Sequence, residues 1–272
     1  MQVTKILVLS DIHTWKSLDV LVRDMTPDLL LLAGDLVHNG GLEIPDEAYV
    51  KSASGATYLN KTAYKKLLKE HASAFYDFLE LVGGQFPIFI IRGDHDTTER
   101  GYAVEKINKI SGCTEISGKV VEINGLRILG LGFDETYKLR KLRPLIEDYK
   151  GTVDIVVTHC KTGRLPLISS IEPKLIIRGH WGRGRFLVNG IPTLMNNSAS
   201  MGFIELKDKV ISKIIQYDIY KFWKTRKKKI SNECSCNSFG LYAFEHPGVS
   251  EFDVYKWLKP YPKSSRYSKA ER

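Results

Sequence analysis

Five short stretches place metal-ligand residue types directly behind an apolar run. "SDIH" carries Asp11 and His13, and "AGDLVH" carries Asp35 and His38. "RGDHD" carries Asp94, His95 and Asp96, "THC" carries His159, and "RGHWG" carries His180. Carboxylates mixed with imidazoles suit zinc, manganese, iron or similar divalent ions, whereas calcium prefers all-oxygen cages. Three aspartates and three histidines held close together would repel as bare charges and so imply a dinuclear site. Two ions about 3.5 to 4 Å apart can share a bridging hydroxide as nucleophile and clamp the oxygens of an in-line phosphoryl displacement.

Such residues are far apart in sequence, so the fold must bring them together. The runs that precede them, Val3 to Leu9, Leu29 to Ala33, Ile88 to Ile91, Ile155 to Thr158 and Leu175 to Ile177, are short and rich in Val, Ile and Leu. They resemble buried parallel strands. Helical spacing recurs over 62 to 82, Glu99 to Ile110 and Tyr137 to Tyr149, which makes the pattern α/β. In open α/β sheets ligand sites lie outside the carboxyl ends of the strands, where all five clusters fall. Glycines before Asp35, Asp94 and His180 fit turns in which backbone must approach closely. Asn-Gly pairs at 124 to 125 and 189 to 190 predict tight hairpins, so antiparallel strands join the parallel ones in a mixed sheet or two. Residues 40 to 61 form a long polar connection of the sort that serves as a lid.

Composition narrows the class. With 272 residues, 43% of them apolar, the chain can bury a sizeable core. Its apolar runs fall far short of the roughly 20 residues that span a bilayer. The N-terminal "ILVL" is too short for a signal peptide, so the expectation is a cytoplasmic protein without a membrane partner. Four cysteines show no zinc-type double pair. The net charge of +9 is concentrated in residues 221 to 272, which hold 12 Lys and Arg against 5 Asp and Glu.

Taken in order, the motifs DxH, GDxxx, GDHD, a lone His after a strand and GH resemble those of the calcineurin-like metallophosphoesterases over about residues 5 to 205. The resemblance implies two mixed sheets packed as a sandwich and flanked by helices. The catalytic domain is expected over residues 1 to 220, and the basic, aromatic-rich residues 221 to 272 are expected as a small C-terminal appendage packed on it. It also implies a phosphoric ester hydrolase with two divalent metal ions (Mn, Fe or Zn). Asp11 and His13 would hold the first metal, Asp35 would bridge, and Asp94, His159 and His180 would hold the second. His95 would be the catalytic histidine, stabilising the transition state and protonating the leaving oxygen. Asp96 would orient a ligand or a turn.

Two positions depart from the family pattern. Asp94 stands where Asn is usual, and Gly182 where many members place another histidine on the first metal. With Asn, two carboxylates and a hydroxide set −3 against +4; with Asp94 the sum is zero. A neutral centre attracts a dianionic phosphomonoester less, while a monoanionic diester loses less, so the expected substrate is a phosphodiester. Gly182 leaves the first metal with fewer protein ligands.

Other residues bear on the substrate. His38 follows the bridging aspartate by three residues, and Arg178, Arg183 and Arg185 flank His180; His38 and Arg178 are candidate substrate contacts. "KFWKTRKKK" at 221 to 229 interleaves cations with aromatics, which suits phosphates and bases. The alternatives to a phosphodiesterase are therefore a nuclease or nucleic-acid-binding phosphoesterase, with a nucleotide or nucleic acid as partner, and a non-catalytic scaffold with a degenerate metal site. Retention of His95 argues against the scaffold.

Overall fold

The computed structural model describes residues 2–12, 15, 18–37, 49–51, 57–59, 61–180, 184–196, 200–218 and 259–260. His13, His38, Gly182, Arg183, Cys234, Cys236 and the basic stretch at 221 to 229 lie outside these residues, as does all of the C-terminal appendage except 259–260.

The first half of the chain runs β1 (Val3–Leu9), α1 (Leu18–Met25), β2 (Leu29–Ala33), the short hairpin β3 (Tyr49–Lys51) and β4 (Thr57–Leu59), α2 (Lys61–Val82), β5 (Ile88–Ile91), α3 (Val104–Ile107) and β6 (Cys113–Glu115). The second half runs β7 (Val120–Ile123), β8 (Leu126–Leu131), α4 (Phe133–Tyr137), α5 (Leu139–Tyr149), β9 (Ile155–Thr158), α6 (Leu165–Ile168), β10 (Leu175–Arg178), β11 (Gly184–Val188), β12 (Ile191–Met195), β13 (Ser200–Lys207) and β14 (Val210–Asp218).

These strands form two mixed sheets. One has the order β14-β13-β1-β2-β5-β6, and the other β11-β12-β10-β9-β8-β7, with a two-residue strand at Lys259–Pro260 on its β11 edge. Alternation along the strands divides the core into three layers. Ile6, Val8, Leu29, Leu31 and Ile91 of one sheet meet Ile128, Ile155, Val157 and Ile177 of the other between the sheets. The alternate residues Leu7, Leu9, Leu30, Leu32 and Ile90 face α1 and α2, against Leu21, Val22, Phe75 and Leu79. On the far side Leu129, Val156 and Ile176 face α5 and α6, against Leu142, Ile146, Leu165 and Ile168. The four-residue apolar runs of β5, β9 and β10 are therefore buried on both faces, as a central strand between helices and a second sheet must be.

Register does the positioning. Leu9 pairs with Leu32, and Ala33 with Ile91, so β1, β2 and β5 end at one level. In the other sheet Arg178 and Leu131 both pair with Thr158, so β8, β9 and β10 also end together.

Both Asn-Gly pairs turn hairpins, with φ of 51° and 71° at Asn124 and Gly125 and of 49° and 83° at Asn189 and Gly190. Two expectations are corrected. The helix expected over Glu99 to Ile110 is a single 3-10 turn, Thr98–Arg100, and then the four-residue α3, because Gly101 between them takes φ of 91°. The helix expected over Tyr137 to Tyr149 begins at Leu139, since Lys138 is extended and separates α4 from α5.

Candidate metal centre

Asp11 follows β1, Asp35 follows β2, Asp94 and His95 follow β5, His159 follows β9 and His180 follows β10. The aligned strand ends bring all six together. Ligand atoms of Asp11, Asp35, His159 and His180 lie within 4.8 Å of one another, and so do those of Asp35, Asp94 and His95. Asp35 belongs to both groups.

His159 sits at the middle, fully buried. Its Nδ1 lies 2.8 Å from the carbonyl oxygen of Ala33; since a carbonyl only accepts, Nδ1 carries the proton and Nε2 faces the carboxylates. Nε2 is 3.3 Å from Asp35 Oδ2 and 3.1 Å from Asp94 Oδ1. His180 Nδ1 is 3.5 Å from the same Asp94 oxygen, and His95 Nε2 is 3.7 Å from Asp94 Oδ2. Backbone amides aim two of the carboxylates: His180 N–H donates to Asp11 Oδ2 at 2.9 Å and His95 N–H to Asp35 Oδ1 at 2.9 Å.

The backbone is bent to make this possible. Asp11, Asp35 and His180 have φ of 52°, 56° and 74°, the left-handed region that side-chain-bearing residues seldom occupy and that clusters at functional sites. Glycines supply the close approaches expected of them. A Cβ on Gly93 would stand 2.2 Å from Asp35 Oδ1, and one on Gly179 would stand 2.0 Å from the Ala33 carbonyl oxygen.

Electrostatics test whether cations fit. Burial works against charge on His159, yet its bonds to Asp35 and Asp94 raise its pKa well above the ordinary histidine value. Burial likewise opposes ionisation of Asp94, but the His159 and His180 rings hold its carboxyl well below the usual carboxylate range. Asp35 is lowered too, against burial, through His159. Asp11 is raised by burial, with the neighbouring Asp35 adding to the effect. Three clustered carboxylates that select positive charge, mixed with imidazole nitrogens, form a donor set that fits divalent ions of the Mn, Fe or Zn type.

Asp96 does not join the ligands. It is buried, with Oδ1 accepting from Leu36 and Val37 N–H at 2.7 and 2.9 Å and Oδ2 from Gly93 N–H at 2.8 Å, so it stitches the turn after β2 to the turn after β5. Burial, aided by the Asp35 charge, pushes its carboxyl up to about 6.

Arg178 is buried at the end of β10. It is 1% exposed, and its Nε–H donates to the Cys160 carbonyl at 2.7 Å; strand alternation turns it away from the cluster, toward the α5 and α6 side with Ile176. The structure thus places this candidate substrate contact as a buried guanidinium bonded to backbone. Arg185 donates to the Ile214 carbonyl at 2.7 Å. Sequence reasoning missed Arg100, whose guanidinium lies 2.9 Å from His95 Nδ1. No motif flags it, because only the 3-10 turn brings it back over His95.

The sequence model for calcineurin-like phosphoesterases matches residues 4–183, which hold all six cluster residues. The chain belongs to the calcineurin-like phosphoesterase family. It is thus a metal-dependent phosphoric ester hydrolase, and its Asp/His cluster is a group of side chains that could hold metal ions. The calcineurin-like fold also appears among solved structures. The protein TT1561 of Thermus thermophilus is 14% identical, covers 80% of this chain and 100% of its own, and has a TM-score of 0.51. Another crystal structure is 15% identical, covers 80% of this chain and 99% of its own, with a TM-score of 0.55. A novel archaeal phosphodiesterase is 15% identical, covers 78% and 99%, and has a TM-score of 0.42. At these identities the first two likenesses concern the fold alone. A search of curated proteins finds no match.

Proposed function

We propose that this calcineurin-like phosphoesterase is a two-metal enzyme that hydrolyses phosphodiesters in preference to phosphomonoesters. Asp94 carries the reading. It is a carboxylate where the family usually has Asn, and it lies in contact with His159 and His180 on one oxygen and near His95 on the other. A third full negative charge makes the centre less attractive to a dianionic monoester than to a monoanionic diester.

The residues divide the work as follows. By the family pattern Asp11, with His13, would hold one ion, Asp94, His159 and His180 the other, and Asp35 would bridge; Asp35 lies within ligand distance of both Asp11 and Asp94, while His159 and His180 also lie close to Asp11. Divalent ions there supply Lewis-acid charge to the phosphoryl oxygens and a water made acidic near neutral pH. His95, beside Asp94 but turned toward Arg100 on its far nitrogen, is the proton donor to the leaving oxygen. Asp96 keeps the His95 turn in place through its three backbone bonds.

The test is a manganese-dependent assay of bis-p-nitrophenyl phosphate against p-nitrophenyl phosphate. Diester hydrolysis should dominate and should drop by two orders of magnitude or more in His95→Ala. Asp94→Asn should raise the monoester-to-diester ratio; an unchanged ratio in that variant overturns the charge argument.

A further inference from the structure

Beside the Asp/His cluster, a cavity of about 290 Å³ opens between α4 and the turn that follows β9, lined by Phe133, Thr136, Tyr137, Lys161 and Arg164. Among the described residues its lining holds no carboxylate and no imidazole, so its chemistry differs from that of the metal centre. Phe133 and Tyr137, one helical turn apart on α4, are stacked with ring centroids 5.2 Å apart and planes 27° from parallel. Tyr137 is 53% exposed, which leaves a ring surface that water covers poorly. Lys161 Nζ stands 5.5 Å from the Tyr137 centroid. Among the described residues neither Lys161 nor Arg164 forms an ion pair.

Each half of this lining has a natural counterpart. An aromatic pair with one ring half exposed can take a planar ring against it. Two cations without carboxylate partners take a phosphate, Arg164 by a forked contact and Lys161 as a point charge. A nucleotide satisfies both at once. The volume sits at the small end of ligand pockets and suits one base with its adjoining phosphate.

The cavity grows from the same strand ends as the cluster. Thr136 Oγ1 lies 3.3 Å from the carbonyl oxygen of His159, and Phe133 N–H donates at 2.9 Å to the carbonyl of Arg92, two residues before Asp94. Lys161 itself is two residues beyond His159.

We propose that this cavity is a nucleotide subsite, with the base stacked on Tyr137 and Phe133 and a phosphate held by Lys161 and Arg164. It rests on the phosphodiesterase reading for its catalytic meaning.

The experiment titrates the full-length protein with adenosine 5′-monophosphate, adenosine and ribose 5-phosphate by calorimetry, alongside Tyr137→Ala and Arg164→Gln. Adenosine 5′-monophosphate should bind more tightly than either half. Tyr137→Ala should weaken it about tenfold, in the range of a lost base-stacking contact, and leave ribose 5-phosphate unchanged. Arg164→Gln should weaken the two phosphate-bearing ligands alike and flatten their salt dependence. Binding that is absent, or the same in both variants as in the parent, overturns the subsite. Hydrolysis of bis-p-nitrophenyl phosphate by the parent is measured separately. Hydrolysis with variant-insensitive binding removes the subsite and spares the enzyme reading; variant-sensitive binding without hydrolysis does the reverse.

Discussion

The guanidinium of Arg100 lies 2.9 Å from Nδ1 of His95. Arginine has donors only, so Nδ1 must accept, and a neutral His95 carries its proton on Nε2, the nitrogen 3.7 Å from Asp94 Oδ2. Arg100 is in this sense a positioning residue: it selects the ring nitrogen that holds the transferable proton. Arg100→Ala should lower kcat on bis-p-nitrophenyl phosphate about tenfold with KM little changed. Arg100→Lys, which keeps a donor, should recover much of the loss. Equal losses in kcat and KM, without recovery, would mark Arg100 as merely structural.

Asp35 is the residue shared by both ligand groups, so it should govern occupancy of the whole centre. Adding manganese to metal-free protein should raise the melting temperature, since binding to the native state alone stabilises by about 2.7 kcal/mol at a hundredfold excess over Kd. Each variant serves as its own metal-free baseline. Asp35→Asn should lose most of the rise, and chelation should return the parent to its baseline.

Gly179 lets the end of β10 lie against the end of β2, and an added Cβ would stand 2.0 Å from the Ala33 carbonyl oxygen and 2.8 Å from His159 Nδ1. Gly179→Ala should destabilise by about 1–3 kcal/mol, the range for overpacking, and should weaken manganese binding as well. Gly84→Ala is the control, because a Cβ there meets nothing within 4 Å. Its stability in urea should change by at most about 1 kcal/mol.

Asp154 gives a pH-dependent prediction away from the metal centre. Its Oδ2 accepts from Arg127 N–H at 2.9 Å and its Oδ1 pairs with Lys174 at 2.7 Å, which ties together the starts of β8, β9 and β10. Burial works against the charge, but these partners lower its pKa below the ordinary 3.8. Native protein therefore holds this proton less tightly than unfolded protein. The stabilisation is complete above pH 3.8 and disappears as pH falls through the lower native value. Asp154→Asn should cost about 1 kcal/mol at pH 7 and progressively less below pH 3.8 in urea titrations.

Much of this arrangement is legible from residue types. The apolar runs of β1, β2, β5, β9 and β10 announce doubly buried strands, and ligand residues at each end announce where the strands must align. The Asn-Gly hairpins are equally plain, since that pair tolerates two successive positive φ values. A third hairpin escapes the same reasoning, because Asp208 and Lys209 turn β13 into β14 with φ of 48° and 65° and no glycine. Arg178 escapes it for another reason. A charge at a strand end reads as solvent-facing, and its burial depends on the Cys160 carbonyl, which only tertiary packing supplies. Arg100 escapes because a 3-10 turn that no motif announces returns it to His95, and the aromatic-cationic cavity arises only where α4 packs beside the turn after β9.

The hydrogen bond from His159 to the Ala33 carbonyl joins the two sheets, since His159 follows β9 of one and Ala33 ends β2 of the other. The sandwich is thus latched at the rim where the chemistry resides. Outer strands such as β7 and β14 can fray without disturbing that latch, whereas parting the layers at their middle dismantles the ligand set in the same step. Loss of activity and loss of the central core in a denaturation series then belong to one cooperative event, with the edges melting earlier and silently.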